Sequence, residues 1–591
     1  MDIVTDNEGQ RATPPAEMLR TDDFVIPTIN GTRYLDKPPL LYWAIAAVYW
    51  ATGVISELTA RVPTAACAIA TVLLAYLVFR RVAEEGSARW AALALLTSPY
   101  FLERARWADL DIPLTLAVLV SVMALRGACR AETRKTACLF ACGAGVALGA
   151  AALLKGPAPL MFFGAAWVAL QVIGGQAPEK AVRWGIRVSL AALALECVLW
   201  LTVTLGHRSV GFPVGLTVFC VGWLAIVARF ARQGRCRQLG VLAMAVVAAG
   251  VVAGPWCVAV LGRIGWAGIS SLLRDQVVTR TYTASAINSG SPLYYVVALP
   301  MMLLPWGLLL PLQFSASQWR RRPEVYRFSV LMGWLSVGLF SLVAGKEYEY
   351  ILPAVPFLLL PTGYHLMELG EGAAEGWVRR WSNLWLRGVR LLLPILALCG
   401  AVYLCVGEPD RTFWAEAGAL TLGVFALGLW PRRKGAAPLT SVTLMTLLTV
   451  VMVLLGSRSY YYTALHNKSP KPLARVCRAL VDHGASLELP RRYPAFAFYM
   501  QCTLPIVTDP KAVEERMQSP LPYYYIIEQK LAAEFVSDEG ALARRVLLGP
   551  IGNKKFLLLG NTPLPFPAEP YGAGQSHAPS TRAAKFQGRN E

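Results

Sequence analysis

Long apolar segments separated by short polar loops fill the chain from residue 58 to residue 457. A membrane span needs about 20 mostly apolar residues, and this pattern predicts an all-α polytopic membrane protein with about 14 spans. The predicted spans are 58–79, 89–104, 112–129, 137–154, 157–174, 187–206, 210–228, 239–261, 293–313, 326–344, 351–368, 389–406, 412–430 and 437–456.

The composition agrees with this prediction and excludes other protein classes. The 591 residues are 55% hydrophobic and only 16% charged, with a mean hydropathy of +0.46, whereas about 25% of residues are charged in a typical soluble domain. A purely soluble protein and a disordered chain are therefore excluded. The net charge of +19 fits the basic cytoplasmic loops of a membrane protein and requires no nucleic-acid partner.

Groups of basic residues recur between the predicted spans and predict their orientation. Examples are Arg80 with Arg81, and Arg432 with Arg433 and Lys434. Loops rich in Lys and Arg face the cytoplasm, which predicts a multi-pass protein of the bacterial inner membrane. The segments on the periplasmic side are 1–57, the turns near 109 and 155, the loop 262–292, the turn 345–350 and the residues after 457.

The first 57 residues combine a polar start with an apolar segment at 38–55. Residues 38–55 are apolar but rich in Trp and Tyr, which favour the membrane interface, and a span here would invert every later orientation. We therefore predict an interfacial helix. No signal peptide precedes the polar residues after Met1, so we expect that a helix upstream of this sequence carries residues 1–57 across the membrane.

Four regions follow from these patterns. Residues 1–57 form a first periplasmic loop with interfacial helices, and residues 58–457 form the transmembrane domain. Residues 458–560 alternate helix-like runs (PLARVCRALVDHG, PKAVEERMQ) with strand-like runs (TLPIVTD, PYYYIIEQ, KKFLLLG), which predicts a small soluble α/β domain in the periplasm. Residues 561–591 are predicted to be a disordered tail. Cys477 and Cys502, the two cysteines of this domain, are either paired or free.

Ionisable groups on the predicted outer side are few, and such groups at a membrane boundary are candidates for function. Together they supply a carboxylate that can deprotonate an acceptor hydroxyl and cations that can neutralise a departing phosphate. The groups are Asp6 with Glu8, Asp36 with Lys37, Arg104 and Arg106 with Asp109 and Asp111, and Arg274, Asp275 and Arg280 with Lys346, Glu347, Tyr348, Glu349 and Tyr350.

Several of these residues also have a purely structural explanation. Asp6 and Glu8 fit an ordinary exposed loop, and Lys37 fits a lysine that extends to the interface. Asp109-Leu110-Asp111 resembles a metal-binding Asp-x-Asp but also fits a helix start with Asp111 as its cap, and we favour no metal. The scattered histidines lack zinc-ligand spacing. The sequence GAGVALG at 143–149 is explained better by close helix packing than by phosphate binding.

Several segments resemble bacterial membrane glycosyltransferases of the GT-C fold, specifically the aminoarabinose-transferase-like branch of the protein mannosyltransferase superfamily. The resemblance extends to about residue 368 and is strongest in the first 120 residues. The segments that carry it are DNEGQRATPPAEMLRTDDFVIPTINGTRYLDKPPLLYW, ARWADLDIPLT, LLKGPAP, RDQVVTRTY, SPLYY, LLPWGLLLP and SLVAGKEYEYILPAVPFLLL.

The resemblance implies an enzyme that joins a sugar from a polyprenyl-phosphate carrier to an acceptor at the outer face of the inner membrane. It implies that Lys37, Arg280 and Tyr350 hold the carrier phosphate and that Asp111 is a site carboxylate. At the aligned position of the family's first-loop carboxylate this chain has Asn7, so either Asp6 or Glu8 would be the base. Two residues, Arg106 and Lys346, are expected to support this site.

The expected reaction inverts the anomeric carbon and needs neither a nucleotide nor a metal cofactor. The partners are the membrane, the polyprenyl-phosphate sugar and an acceptor, which is a lipid A-like glycolipid, a polysaccharide or a protein. A polytopic transporter or a flippase for lipid-linked sugars is the alternative. Transporters place ionisable groups near the bilayer midplane and contain repeats, whereas the charges here gather at one predicted interface and no repeat is visible.

Overall fold

A computed structural model describes residues 2–174, 236–274, 291–343, 345–374, 376–388, 469–528, 544–551 and 554–563. The chain divides into two compact units. Unit 1 consists of Met1–Thr13, Ile29–Thr32 and Tyr461–Glu591, and unit 2 consists of Pro14–Thr28 and Arg33–Tyr460. Five of the predicted spans, 187–206, 210–228, 389–406, 412–430 and 437–456, lie outside the described residues.

Unit 2 is helical. The chain passes between the two units within the first helix, α1 (Asp6–Thr21), and again within the short hairpin formed by β1 (Thr28–Ile29) and β2 (Thr32–Arg33). Its other helices are α2 (Leu40–Thr52), α3 (Glu57–Val82), α4 (Glu85–Leu96), α5 (Pro99–Arg104), α6 (Asp111–Arg130), α7 (Arg134–Lys155), α8 (Pro159–Ile173), α9 (Cys236–Leu273), α10 (Tyr294–Met302), α11 (Ala316–Arg321), α12 (Glu324–Ser341) and α13 (Val355–Glu371), with 3₁₀ helices at Trp306–Phe314 and Tyr348–Ala354 and a helical stretch at 376–388.

Among the described residues, five helical segments are long and apolar enough to cross a membrane, which agrees with the predicted polytopic fold. They are Glu57–Val82, Asp111–Arg130, Arg134–Lys155, Gln238–Ser271 and Tyr348–Glu371. The 13-residue helix α2 is about 20 Å long, shorter than the hydrocarbon core of a bilayer. Its length fits the predicted interfacial helix, which stays a prediction.

The described helices differ from the predicted ones at three places. The predicted span 89–104 is divided into α4 and α5, because Pro99 begins a new helix. The predicted span 293–313 is divided into α10 and a 3₁₀ helix that follows Pro305. The prediction of a loop from residue 262 was wrong, because α9 continues to Leu273 through a kink at Gly265, whose φ is 68°.

Two of the three glycines of GAGVALG, Gly145 and Gly149, lie where two helices pack closely, as the sequence predicted. A Cβ added to Gly145 would lie 2.2 Å from the Ala245 carbonyl oxygen of α9, and one added to Gly149 would lie 2.7 Å from the Ala249 carbonyl oxygen. Only residues without a side chain permit this approach of α7 to α9, as in other small-residue helix contacts in membranes.

Unit 1 contains a four-stranded sheet covered by helices. Its elements are α14 (Lys471–Asp482), β3 (Ser486–Glu488), α15 (Pro494–Met500), α16 (Pro510–Met517), β4 (Tyr523–Glu528), β5 (Arg544–Ile551) and β6 (Lys554–Gly560). The strand order is β3-β4-β6-β5, with β3 parallel to β4 and the other pairs antiparallel. The strand predicted at TLPIVTD was wrong, because Ile506 makes only an isolated bridge with Leu489.

Apolar residues of α14 pack against one face of this sheet. The helix buries Leu473, Cys477 and Leu480 in a cluster that includes Tyr524 and Ile526 of β4. Burial raises the pKa of the Cys477 thiol well above its ordinary value. Cys477 and its neighbour Cys502 are not joined by a disulfide in this structure.

Residues from the predicted first loop are part of unit 1. The Ile3 amide donates to the Tyr499 hydroxyl at 2.7 Å, and the Thr13 hydroxyl donates to the Pro494 carbonyl at 2.8 Å. The Asn30 side chain makes two hydrogen bonds with the backbone of Leu504, donating to its carbonyl at 2.8 Å and accepting from its amide at 2.7 Å. The boundary predicted at residue 57 therefore does not coincide with the division between the units.

Candidate active site

The ends of α6 and α7 bring a carboxylate and an ammonium together. Asp111 is the first residue of α6 and Lys155 is the last residue of α7. The two helices form an antiparallel hairpin, so these ends lie side by side. Gly156 ends α7 with a φ of 64°, a conformation that favours glycine. The Lys155 ammonium donates a hydrogen bond to the Asp111 carboxylate, and Asp111 is 4% exposed.

A second ion pair continues from the same helix start. The Arg104 guanidinium donates to Asp109 at 2.9 Å and to Glu349 at 3.0 Å. The Tyr100 hydroxyl also donates to Glu349, at 3.0 Å, and accepts from Arg104. The Asp109 carboxylate accepts the backbone amide of Asp111 at 2.6 Å, so the two ion pairs share a helix terminus. Asp111 is not the helix cap that the sequence allowed, because it is the first residue of α6 and Leu110 is at the N-cap position.

Tyr350 connects the two ends of this arrangement. Its ring centroid lies 4.8 Å from the Lys155 ammonium, a cation–π distance, and its chain neighbour Glu349 binds Arg104. We refer to Arg104, Asp109, Asp111, Lys155 and Glu349 as the Asp111 cluster. Each carboxylate in it contacts a cation, as buried charges require. The cluster therefore brings Asp111 and Tyr350, two residues assigned to substrate by resemblance, into contact with one ammonium.

The two residues expected to support the site have different surroundings. The Lys346 ammonium donates to the carbonyls of Phe340, Ser341 and Val343, so it binds the C-terminal end of α12. A cation is stabilised there by the unpaired carbonyls and the helix dipole. Arg106 is half-buried between α5 and α6, and burial together with the nearby Arg61 lowers its pKa.

The remaining predicted site residues lie elsewhere along the chain. Lys37 is half-buried in unit 2, directly before α2, and Arg280 lies outside the described residues. Asp6 and Glu8 are in the first turn of α1, within unit 1. Asp6 is exposed, whereas Glu8 is only 4% exposed. The two candidate carboxylates for the base therefore differ sharply in burial.

Sequence reasoning assigned no site role to Lys155, although it holds Asp111. The lysine was visible in LLKGPAP as the only charge at the end of a long apolar helix and directly before Gly and Pro. Tyr100 was also missed, because nothing in the sequence connects it with Glu349. Arg104, Asp109 and Glu349 were recognised as outer charges, but the pattern did not show which of them pair.

The Asp-x-Asp segment is occupied by protein cations. Asp109 binds Arg104 and Asp111 binds Lys155. Within the described part of the chain, no group of three or more His, Cys, Asp or Glu residues is arranged to hold a metal ion. These carboxylates therefore have the chemistry of buried ion pairs.

Similarity to known proteins agrees with the predicted fold. The family model for dolichyl-phosphate-mannose-protein mannosyltransferase matches residues 13–212. Undecaprenyl phosphate-alpha-4-amino-4-deoxy-L-arabinose arabinosyl transferase from Pseudomonas aeruginosa is 28% identical over 464 residues, covering 76% of this chain and 71% of the relative. The predicted family resemblance is confirmed. The corresponding transferase from Edwardsiella ictaluri is 26% identical over 72% of this chain and 66% of its own length.

A solved structure of this type of transferase has the same fold. ArnT from Cupriavidus metallidurans, determined bound to undecaprenyl phosphate, superposes with a TM-score of 0.67 at 18% identity. The match covers 95% of this chain and 94% of that chain. The chain therefore has the membrane fold of the aminoarabinose transferases.

Proposed function

We propose that this protein is an integral-membrane glycosyltransferase that moves a sugar from a polyprenyl-phosphate donor to a cell-envelope acceptor. The observation that carries the proposal is the Asp111 cluster, which joins Asp111 and Tyr350 through Lys155 at one end of the membrane helices. The relatives named as arabinosyl transferases support the same activity. A transporter would place its ionisable groups near the bilayer midplane, and Asp111 instead begins α6.

The proposed reaction is a single displacement. An acceptor oxygen forms a bond to the anomeric carbon while the bond from that carbon to the phosphate oxygen breaks. The acceptor proton passes to a carboxylate, for which Asp111, Asp6 and Glu8 are the candidates, and the polyprenyl phosphate leaves with the bonding electron pair. Attack from the side opposite the phosphate inverts the anomeric carbon.

Lys155 and Arg104 are the cations that pair with the carboxylates of this site. Lys155 keeps the Asp111 carboxylate oriented and places positive charge beside Tyr350. Lys37, Arg280 and Tyr350 would bind the donor phosphate and stabilise the charge that develops on it. Arg104 binds both Asp109 and Glu349, and it thereby holds the start of α6 next to the 3₁₀ helix that carries Tyr350.

The names of the relatives suggest the substrates. We propose undecaprenyl phosphate as the carrier and an amino-pentose as the sugar, with lipid A, another glycolipid, a polysaccharide or a protein as acceptor. We also propose about 14 spans, a periplasmic active site and a periplasmic α/β domain, as the basic loops indicate. Because the Asp-x-Asp carboxylates already bind Arg104 and Lys155, we propose that the reaction needs no divalent metal.

Transfer by the purified protein in nanodiscs tests this proposal. With undecaprenyl phosphate-linked aminoarabinose and lipid A, mass spectrometry should detect the modified lipid, and EDTA should leave the rate unchanged. We expect Lys37→Ala and Asp111→Asn each to lower the rate by more than about 100-fold. The exposed Asp482→Asn in α14 is the matched control and should retain the wild-type rate.

Two outcomes would contradict the proposal at different levels. Near-normal rates in both variants, with normal yield and melting temperature, would refute the site. If the wild type transfers no sugar from any polyprenyl phosphate, and a deletion strain retains every envelope sugar, the function is refuted.

A further inference from the structure

Three tyrosine rings form a continuous aromatic surface beside the Asp111 cluster. The Tyr348 ring centroid lies 5.2 Å from that of Tyr294 and 5.9 Å from that of Tyr100. These residues come from the 3₁₀ helix Tyr348–Ala354, from α10 and from α5. We call Tyr100, Tyr294 and Tyr348 the tyrosine ledge. Tyr348 is 39% exposed, so the ledge presents an aromatic ring at its surface.

The ledge is attached directly to charged groups of the cluster. Tyr100 donates its hydroxyl to Glu349 and accepts from Arg104, each at 3.0 Å. Tyr348 immediately precedes Glu349 in the chain. An aromatic face therefore lies next to a carboxylate and a guanidinium, both of which are suited to hydroxyl groups.

From this juxtaposition we propose that the tyrosine ledge is a subsite for a pyranose ring, with Tyr348 packing on the C–H face of the sugar. The inference rests on the proposed function and adds the group that holds the sugar itself. A pyranose has an apolar C–H face and polar edges, and small-molecule sites commonly pair aromatic walls with a few polar groups. The sugar could be that of the donor or one of a glycolipid acceptor, since both share this chemistry.

A tyrosine of the membrane interface is the structural alternative. Such residues pack against lipid and direct the hydroxyl to water. Here the rings contact one another, and the Tyr100 hydroxyl is committed to the ion pair of Arg104 and Glu349. If Tyr348 only packs against lipid, its contribution to binding should not depend on the sugar that the lipid carries, and this difference can be measured.

The test compares two lipids that differ only in the sugar. Affinities of the full-length protein in nanodiscs are measured for undecaprenyl phosphate and for undecaprenyl phosphate-linked aminoarabinose. Tyr348→Ala should weaken binding of the sugar-loaded lipid about tenfold, the effect of one aromatic contact, and leave undecaprenyl phosphate unchanged. Tyr348→Phe should behave as wild type, and so should Tyr76→Ala, a control in α3 near Arg80.

A second measurement distinguishes the source of the sugar. If the acceptor sugar occupies the ledge, Tyr348→Ala raises the KM for lipid A about tenfold and leaves both lipid affinities unchanged. Equal losses for both lipids, or no change in affinity and KM, would overturn the subsite. If the wild type binds sugar-loaded lipid in a Tyr348-dependent manner but transfers nothing, the subsite stands and the proposed function fails.

Discussion

Lys155 has two contacts that matter for the proposed chemistry, the Asp111 carboxylate and the face of Tyr350. Its side chain is only 12% exposed, so its charge is compensated by protein groups rather than by water. Removing either partner of such a pair leaves an uncompensated charge, which costs more than the pair contributes. Residues of the cluster are therefore sensitive to changes that keep their shape but alter their charge.

Glu349 offers a direct test of this sensitivity. We expect Glu349→Gln to lower the melting temperature by about 2–4 °C, because Arg104 then retains only one carboxylate. The transfer rate should fall at least about tenfold, because Tyr350 and the start of α6 lose their common anchor. Differential scanning fluorimetry and the nanodisc assay measure the two effects.

An exposed glutamate is the control for this substitution. Glu132 lies in the loop between α6 and α7 and is exposed, so Glu132→Gln should match the wild type. The interpretation of Glu349 would be wrong if both variants had the same melting temperature and rate.

Single residues show how far the sequence can predict a site. Asp111 was predicted because a carboxylate at the end of an apolar segment costs free energy, which makes it a candidate for function. The same reasoning selected Lys346, but its ammonium binds backbone carbonyls of α12. Every residue has a backbone carbonyl, so the pattern of side chains does not predict such partners. Lys155 was overlooked because its partner Asp111 is distant in the chain, and helix pairing was not predicted.

At the scale of elements, small residues determine which helices approach closely. We expect Gly149→Leu to lower the melting temperature, because overpacking costs about 1–3 kcal/mol and the obstacle at this position is the backbone of α9. Gly143→Leu is the matched control, since a Cβ there meets no atom within 4 Å. Thermal unfolding measured by fluorimetry compares the two variants.

Equal melting temperatures for the two leucine variants would contradict the packing of α7 on α9. A lower value for the Gly143 variant than for the Gly149 variant would do the same.

Helices were easier to predict than their interruptions. The length of an apolar run predicted α3, α6 and α7, because hydrophobicity alone decides insertion. The breaks at Pro99 and Pro305 fall inside equally apolar runs, so hydropathy does not detect them. The strand predicted at TLPIVTD is rich in β-branched residues, which favour strands. A strand also needs a neighbour with which to pair, and Ile506 bridges Leu489 alone.

At the scale of the whole molecule, the sequence predicted a membrane domain and a later α/β region, but not which residues fold together. Residues 29–32 belong to unit 1 although more than 400 residues separate them from Tyr461. Such pairing depends on complementary surfaces, for which the sequence of either segment alone gives no periodic signal.

The two hydrogen bonds between Asn30 and Leu504 test this division into units. In Asn30→Asp the amide donor is lost and a charge faces the Leu504 carbonyl, which costs about 1–3 kcal/mol. Hydrogen exchange in peptides covering 494–508 should therefore accelerate about tenfold or more, while peptides covering 111–155 remain unchanged. Asn30 has a φ of 53°, so Asn30→Gly separates backbone strain from hydrogen bonding.

Faster exchange in both regions of Asn30→Asp, or in neither, would contradict the division. In Asn30→Gly the positive φ causes no strain, but both side-chain hydrogen bonds are lost. An exchange rate equal to that of the wild type in this variant would show that the bonds are dispensable.

The composition of unit 1 also constrains how the protein is made. Residues 2–13 leave the ribosome well before their partners at 494–500, which follow only after the membrane helices have been synthesised. At about 5–20 residues per second, the delay is on the order of half a minute to a minute and a half. During that interval the early segment cannot make its native contacts, so the assembly of unit 1 depends on the speed of translation and insertion.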